Sequence, residues 1–168
     1  MEKYRKYYIV IILVYFLGLA GKHLGKSELV YWGGDESRHF MNGVFIKDLF
    51  ADGGWRAPFA YLKWDYLKYP ALSVHQYPPL FYFLEALVFA LFGIHVVAIQ
   101  ILIFTIMGFG FYVWYRYLER KFPPEMAALS LLLLITAPLF LNNFSHIMLD
   151  GISFSLMLVF LATVDRWY

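Results

Sequence analysis

Four runs without a single charged residue constrain this chain more than anything else in it: Tyr7 to Ala20, Val96 to Tyr115, Ala127 to Leu141 and Ile152 to Val164. At about 1.5 Å of rise per helical residue the second reaches roughly 30 Å, the thickness of a bilayer's hydrocarbon core. A chain with 61% hydrophobic residues, 21% aromatics, 15% charged residues and a mean hydropathy of +0.59 lies well outside soluble composition. The fold class expected is therefore all-α, with polytopic transmembrane helices near 7–24, 96–115, 127–141 and 152–164.

Composition also excludes several chemistries. A net charge of +2, with basic residues flanking apolar runs and forming no stripe, speaks against nucleic acid as a partner. There is no cysteine, so disulfides, thiolate metal sites and cysteine nucleophiles are ruled out. Asn143-Phe144-Ser145 fits the glycosylation sequon, a pattern short enough to recur by chance.

Charge at the ends of the runs orients them. Lys3, Arg5 and Lys6 against Glu2 place the amino end in the cytoplasm, and the weak Gly18-Leu19-Ala20-Gly21 stretch makes the first run an uncleaved span and not a signal peptide. The short loop carrying Arg116, Arg120 and Lys121 is expected to be cytoplasmic too. Leu80 to Phe92 reads as either a short spanning helix or a re-entrant or interfacial one; at about 20 Å and interrupted by Glu85 the second reading is preferred, and it is the one that lets both placements hold together. Asp35 and Asp150 then face the same extracytoplasmic side, in a multi-pass protein of the plasma (inner) membrane.

Between Gly21 and Pro79 glycines, prolines, aromatics and both signs of charge arrive together, which reads as a long extracytoplasmic loop containing juxtamembrane helices. Asp35 is expected to cap a helix running to about Phe50, with Met41, Phe45 and Leu49 forming an apolar stripe and Asp52-Gly53-Gly54 stopping it. Such a helix would lie on the membrane surface with Asp35, Arg38 and His39 together at its amino end. Further on, Tyr61 to Pro70 interleaves aromatics with Lys63 and Lys68, which suits the headgroup layer or a lipid phosphate.

The chemistry-bearing residues sit in two polar islands, Tyr31 to Phe40 and Asn142 to Asp150. Carboxylates at a membrane boundary call for a partner or a task. Asp35 reads as a general base, since a low-dielectric edge raises a carboxylate's proton affinity, with Glu36, Arg38 and His39 tuning or orienting it. Asp150 reads either as a second site carboxylate or as the cap of the last helix. A divalent metal held by Asp35, Glu36, His39 and Asp150 is chemically feasible, though no spacing is diagnostic. The remaining histidines, His23, His75, His95 and His146, read as polar interfacial residues.

Asp35-Glu36-Ser37-Arg38-His39, then Leu49-Phe50-Ala51-Asp52-Gly53-Gly54-Trp55, then Tyr77-Pro78-Pro79-Leu80-Phe81-Tyr82, then Leu149-Asp150, taken in order after a first span with a basic amino end, resemble the amino-terminal part of the GT-C membrane glycosyltransferases. Protein mannosyltransferases and lipid A aminoarabinose transferases are the most similar members. The resemblance implies transfer of a sugar from a polyprenyl-phosphate donor to a protein or lipid-linked glycan acceptor, with Asp35 as the base and Asp150 in the same cavity. Where some members carry a lysine near the Pro-Pro stretch this chain has Tyr77 and Pro78, so the carrier phosphate would meet Arg38, Arg56, Lys63 or Lys68. Members are several times longer, which implies a further membrane segment or subunit. The competing reading is a non-catalytic membrane subunit that binds a lipid carrier through the lysines and aromatics of residues 21–79; an ion-coupled transporter fragment fits less well, because the charges avoid the longest runs.

Overall fold

A computed structural model of the chain describes residues 2–26, 34–69, 72–143 and 146–165. Tyr31, Trp32 and Gly33 of the first polar island and Phe144 and Ser145 of the sequon and second island lie outside them. Every regular element among the described residues is helical: α1 (Glu2–His23), α2 (Asp35–Ala51), a one-turn 3-10 helix (Gly54–Arg56), α3 (Pro58–Lys68), α4 (Leu80–Phe92), α5 (Val96–Leu118), α6 (Pro124–Ile135), α7 (Pro138–Asn143) and α8 (Leu149–Val164). Two stretches, Lys6–His23 and Val96–Leu118, are long and apolar enough to cross a membrane, while α4, α6 and α8 are shorter apolar helices. The run from 127 to 141 is broken in two, because Pro138 has no N–H to give and its ring clashes with the preceding turn. It therefore opens α7, where a missing donor costs nothing.

The helices form two compact units, Met1–Lys26 with Ile103–Tyr168, and Ser27–Leu102. In the first, a file of phenylalanines joins four helices: Phe16 on α1 to Phe111 on α5 at 6.0 Å between ring centroids, Phe111 to Phe140 on α7 at 5.4 Å, and Phe140 to Phe154 on α8 at 4.9 Å. Edge-on ring pairs at these spacings exploit the quadrupole of each ring as well as its area. Gly110 lets α8 come close, since a methyl there would stand 2.6 Å from the Cβ of Ser155, and the Ser155 hydroxyl donates back to the Gly151 carbonyl at 2.7 Å. Lys121 and Asp165 close the far end with a 2.7 Å ion pair. On the outside of α1, Val10, Val14 and Leu17 are more than half exposed. An apolar surface of this kind on a helix of membrane-spanning length suits a hydrocarbon surrounding.

In the second unit α2 packs on α4, and the face it buries mixes polar with apolar residues. Glu36, His39, Asn42, Gly43, Phe45 and Ile46 are buried, while Met41 and Leu49 of the expected apolar stripe are only half-buried. The helix starts differently too. Gly34, extended at φ −106° and ψ 158°, is the capping residue, and Asp35 is the first helical residue, with no side-chain capping bond. Its end falls at Asp52 followed by Gly53 at φ +72°, a left-handed conformation that suits glycine. Pro58 then opens α3. From there the chain runs back along α2: Tyr61 donates to Asp52 at 2.7 Å and packs on Phe45, the Ser73 amide donates to Asn42 Oδ1 at 3.0 Å, and Tyr77 reaches His39.

Glycine at position 43 is required by this packing. A methyl there would lie 2.6 Å from a carboxyl oxygen of Glu85 and 2.7 Å from its Cβ, so α4 meets the bare backbone of α2. Gly43→Ala is expected to lower the stability of the detergent-solubilised protein by about 1–3 kcal/mol, the usual cost of overpacking. Gly18→Ala, where a methyl meets nothing within 4 Å, should stay within about 0.5 kcal/mol of the parent. Thermal unfolding of the two variants side by side checks both.

Candidate functional site at the head of helix α2

The site is built on the first two turns of α2. Asp35 and Glu36 occupy the first turn, where the free amides of a helix amino end favour negative charge. Arg38, three residues on, donates from Nη1 to Asp35 Oδ1 at 3.1 Å, with the two side chains 47% and 40% exposed. Asp35 is thus an accessible carboxylate held by a cation. Its neighbours are buried, Glu36 being 6% exposed and His39 2%.

His39 ties this segment to the stretch around the paired prolines. Its Nδ1 shares a 2.8 Å hydrogen bond with the Tyr82 hydroxyl of α4. The Tyr77 ring stands edge-on to the imidazole with centroids 4.7 Å apart. Phe40 packs on Phe89 one layer along, at 5.0 Å. Two segments about forty residues apart in the chain, 35–39 and 77–82, therefore meet in one place.

Beneath them, Glu85 is fully buried, and neither of its carboxyl oxygens has a hydrogen-bond partner. An isolated carboxylate in such a place would cost several kcal/mol, so the group belongs there as the neutral acid. The composition hides this residue inside an apolar helix. Two signals point to it: it is the sole charge between Leu80 and Phe92, and it lies three residues from Tyr82, on the same helical face.

The other expected site residues are dispersed. Arg56 lies over the Trp55 ring at 5.5 Å, and Lys68 lies over Trp64 and Tyr69 at 5.2 and 5.0 Å. Lys63 is exposed on α3. Of the basic groups expected to meet a carrier phosphate, Arg38 is the one joined to Asp35. Asp150 belongs to the first unit, where it is the exposed second residue of α8; Met148 is the capping residue and there is no side-chain capping bond. Among the described residues no three His, Asp or Glu side chains converge as a metal centre requires.

A second electrostatic feature lies at the other end of α2. Asp65 of α3 is 6% exposed; burial raises its carboxyl above the usual range, the nearby charges of Asp48 and Asp52 add to this, and Lys68 opposes it. Tyr61 is pushed up by burial and by its bond to Asp52.

The sign for Asp65 follows from its raised folded value. The folded state keeps the proton to higher pH than the unfolded chain, so this residue's contribution is fully present below about pH 4 and is lost as pH rises through the folded value. Asp65→Asn should therefore raise the unfolding temperature at neutral pH, with the gain fading below about pH 4. Thermal scans from pH 3 to 8 read it out. For the seam with α4, Tyr82→Phe is expected to cost about 1–2 kcal/mol by deleting a buried hydrogen bond, measured in the same way. Comparison of the chain with protein-family models, with curated proteins and with solved structures finds no match.

Proposed function

We propose that the chain is a membrane glycosyltransferase, or the amino-terminal module of one, that moves a sugar from a polyprenyl-phosphate carrier to an acceptor on the extracytoplasmic side, with Asp35 as general base. The observation that carries this reading is the meeting of residues 35–39 with residues 77–82 through His39. These are two of the stretches in which the sequence resembles the GT-C enzymes. A membrane setting is supported by the two helices of spanning length and by the apolar outer face of α1. Multi-pass insertion in the plasma membrane, with α4, α6 and α8 as shorter membrane helices, belongs to the same reading.

In this reading the Asp35 carboxylate takes the proton from an acceptor hydroxyl or amine. The freed lone pair attacks the anomeric carbon of the donor, the bond from that carbon to the phosphate oxygen breaks, and polyprenyl phosphate leaves with its electron pair. Configuration at the sugar carbon inverts. Arg38 fixes the carboxylate's orientation through its 3.1 Å bond and supplies positive charge beside the departing phosphate. Tyr77 packs on His39; the resemblance implies that the carrier phosphate lies near this Pro-Pro stretch, and Arg56, Lys63 and Lys68 would offer further cations to it.

A second reading, a non-catalytic subunit that grips a lipid carrier, is favoured by α3, where Phe59, Trp64, Tyr66 and Leu67 are exposed beside Lys63 and Lys68. Sugar transfer from a labelled polyprenyl-phosphate donor, measured in membranes carrying the protein, separates the two. Asp35→Asn should cut the rate by about 10²–10⁴-fold, the usual reach of a positioned base, with Lys63→Ala and Lys68→Ala milder. Normal transfer by D35N would reject the catalytic role, and loss of carrier binding in the lysine variants alone would favour the subunit.

A further inference from the structure

Two contacts between α2 and α4 form successive rungs of one seam. His39 meets Tyr82, and one turn further along each helix Gly43 meets Glu85. The second rung is unusual in chemistry. The Glu85 side chain, from Cβ to carboxyl, lies over the Cα of Gly43, with the positions of Cβ, Cδ and Oε2 falling 2.7, 3.1 and 2.6 Å from where a Gly43 methyl would stand. No water-accessible surface remains on the residue. Sealed in this way, Glu85 touches neither a substrate nor a cation from outside, so it is no catalytic residue.

We propose that Glu85 is a positioning residue: its uncharged carboxyl, seated on the Gly43 backbone, fixes the register of α2 on α4 and so holds His39 on Tyr82 and Asp35 at the mouth of the site. Neither carboxyl oxygen of Glu85 has a hydrogen-bond partner, so what the residue brings to the seam is the length and shape of its side chain on Gly43, beside the buried His39, Asn42 and Tyr82. A shorter side chain at 85, unless bonded to residue 43, would withdraw from Gly43 and release the register. The proposal rests on the functional reading above only for what the positioned groups go on to do.

The test therefore needs no turnover. The full-length protein, labelled with ¹⁵N at histidine and purified in detergent micelles, gives ring-nitrogen resonances for His39, assigned with a His39→Gln variant. Tyr82→Phe defines the spectrum of an imidazole that has lost its hydroxyl partner. Glu85→Gln keeps the length and lacks charge, and it should leave the His39 resonances where they stand in the parent. Glu85→Asp keeps the carboxyl but draws it back by one methylene, and it should shift those resonances to the positions seen in Y82F. Parent-like resonances in E85D, or Y82F-like resonances in E85Q, would overturn the proposal. Either result leaves the glycosyl-transfer reading to be decided by its own assay.

Discussion

The close approach of α4 to the bare backbone of α2 at Gly43 is the constraint on which the second unit depends. With no side chain at 43, a buried glutamic acid can lie flat against the helix. That puts Tyr82, one turn earlier on α4, in reach of His39, one turn earlier on α2. The return of the chain along α2 adds two more fastenings in order, Ser73 on Asn42 and Tyr77 on His39. The polar groups of α2 that hold the two helices together are thus close neighbours in sequence of the Asp35–Arg38 pair.

The core is mostly hydrocarbon, but polar residues share it while large apolar ones stay outside. Glu85, Asn42, His39 and Gln100 are almost fully buried, while Leu80, Leu87, Leu91 and Phe92 are well exposed. Where the surroundings are apolar, burying more hydrocarbon between helices gains little, and association rests on close packing and on hydrogen bonds of about 0.6–2 kcal/mol each. Small residues and polar contacts at the interfaces meet that demand in both units. Gly110 on Ser155 does in the first what Gly43 on Glu85 does in the second.

Much of this was legible in the residues and some was not. The all-helical class followed from the length of the uncharged runs, and the end of α2 from Asp52-Gly53-Gly54. Its buried face followed only in part: of the apolar positions Met41, Phe45 and Leu49, Phe45 is buried, whereas the partner helix carries Tyr82 and Glu85 and draws in the side of α2 bearing His39, Asn42 and Gly43. The cap was misplaced for a local reason: the backbone at Gly34 is already extended, which moves Asp35 into the first turn and frees its carboxylate for Arg38. The run from 127 to 141 was expected as one span, and Pro138 within it opens a separate helix, α7.

α2 lies on α4 by the face that carries Gly43, with residue 43 against residue 85. A chain without cysteine makes this directly measurable. Cysteines placed at both positions would have Cβ atoms near 2.7 Å apart before any relaxation, inside the roughly 3.8 Å of a disulfide, so a small separation of the helices is enough for bonding. In native membranes the pair at 43 and 85 should form an intramolecular disulfide under mild oxidation, and a control pair at 59 and 85 should not. Efficient bridging of the control pair with none between 43 and 85 would contradict the account.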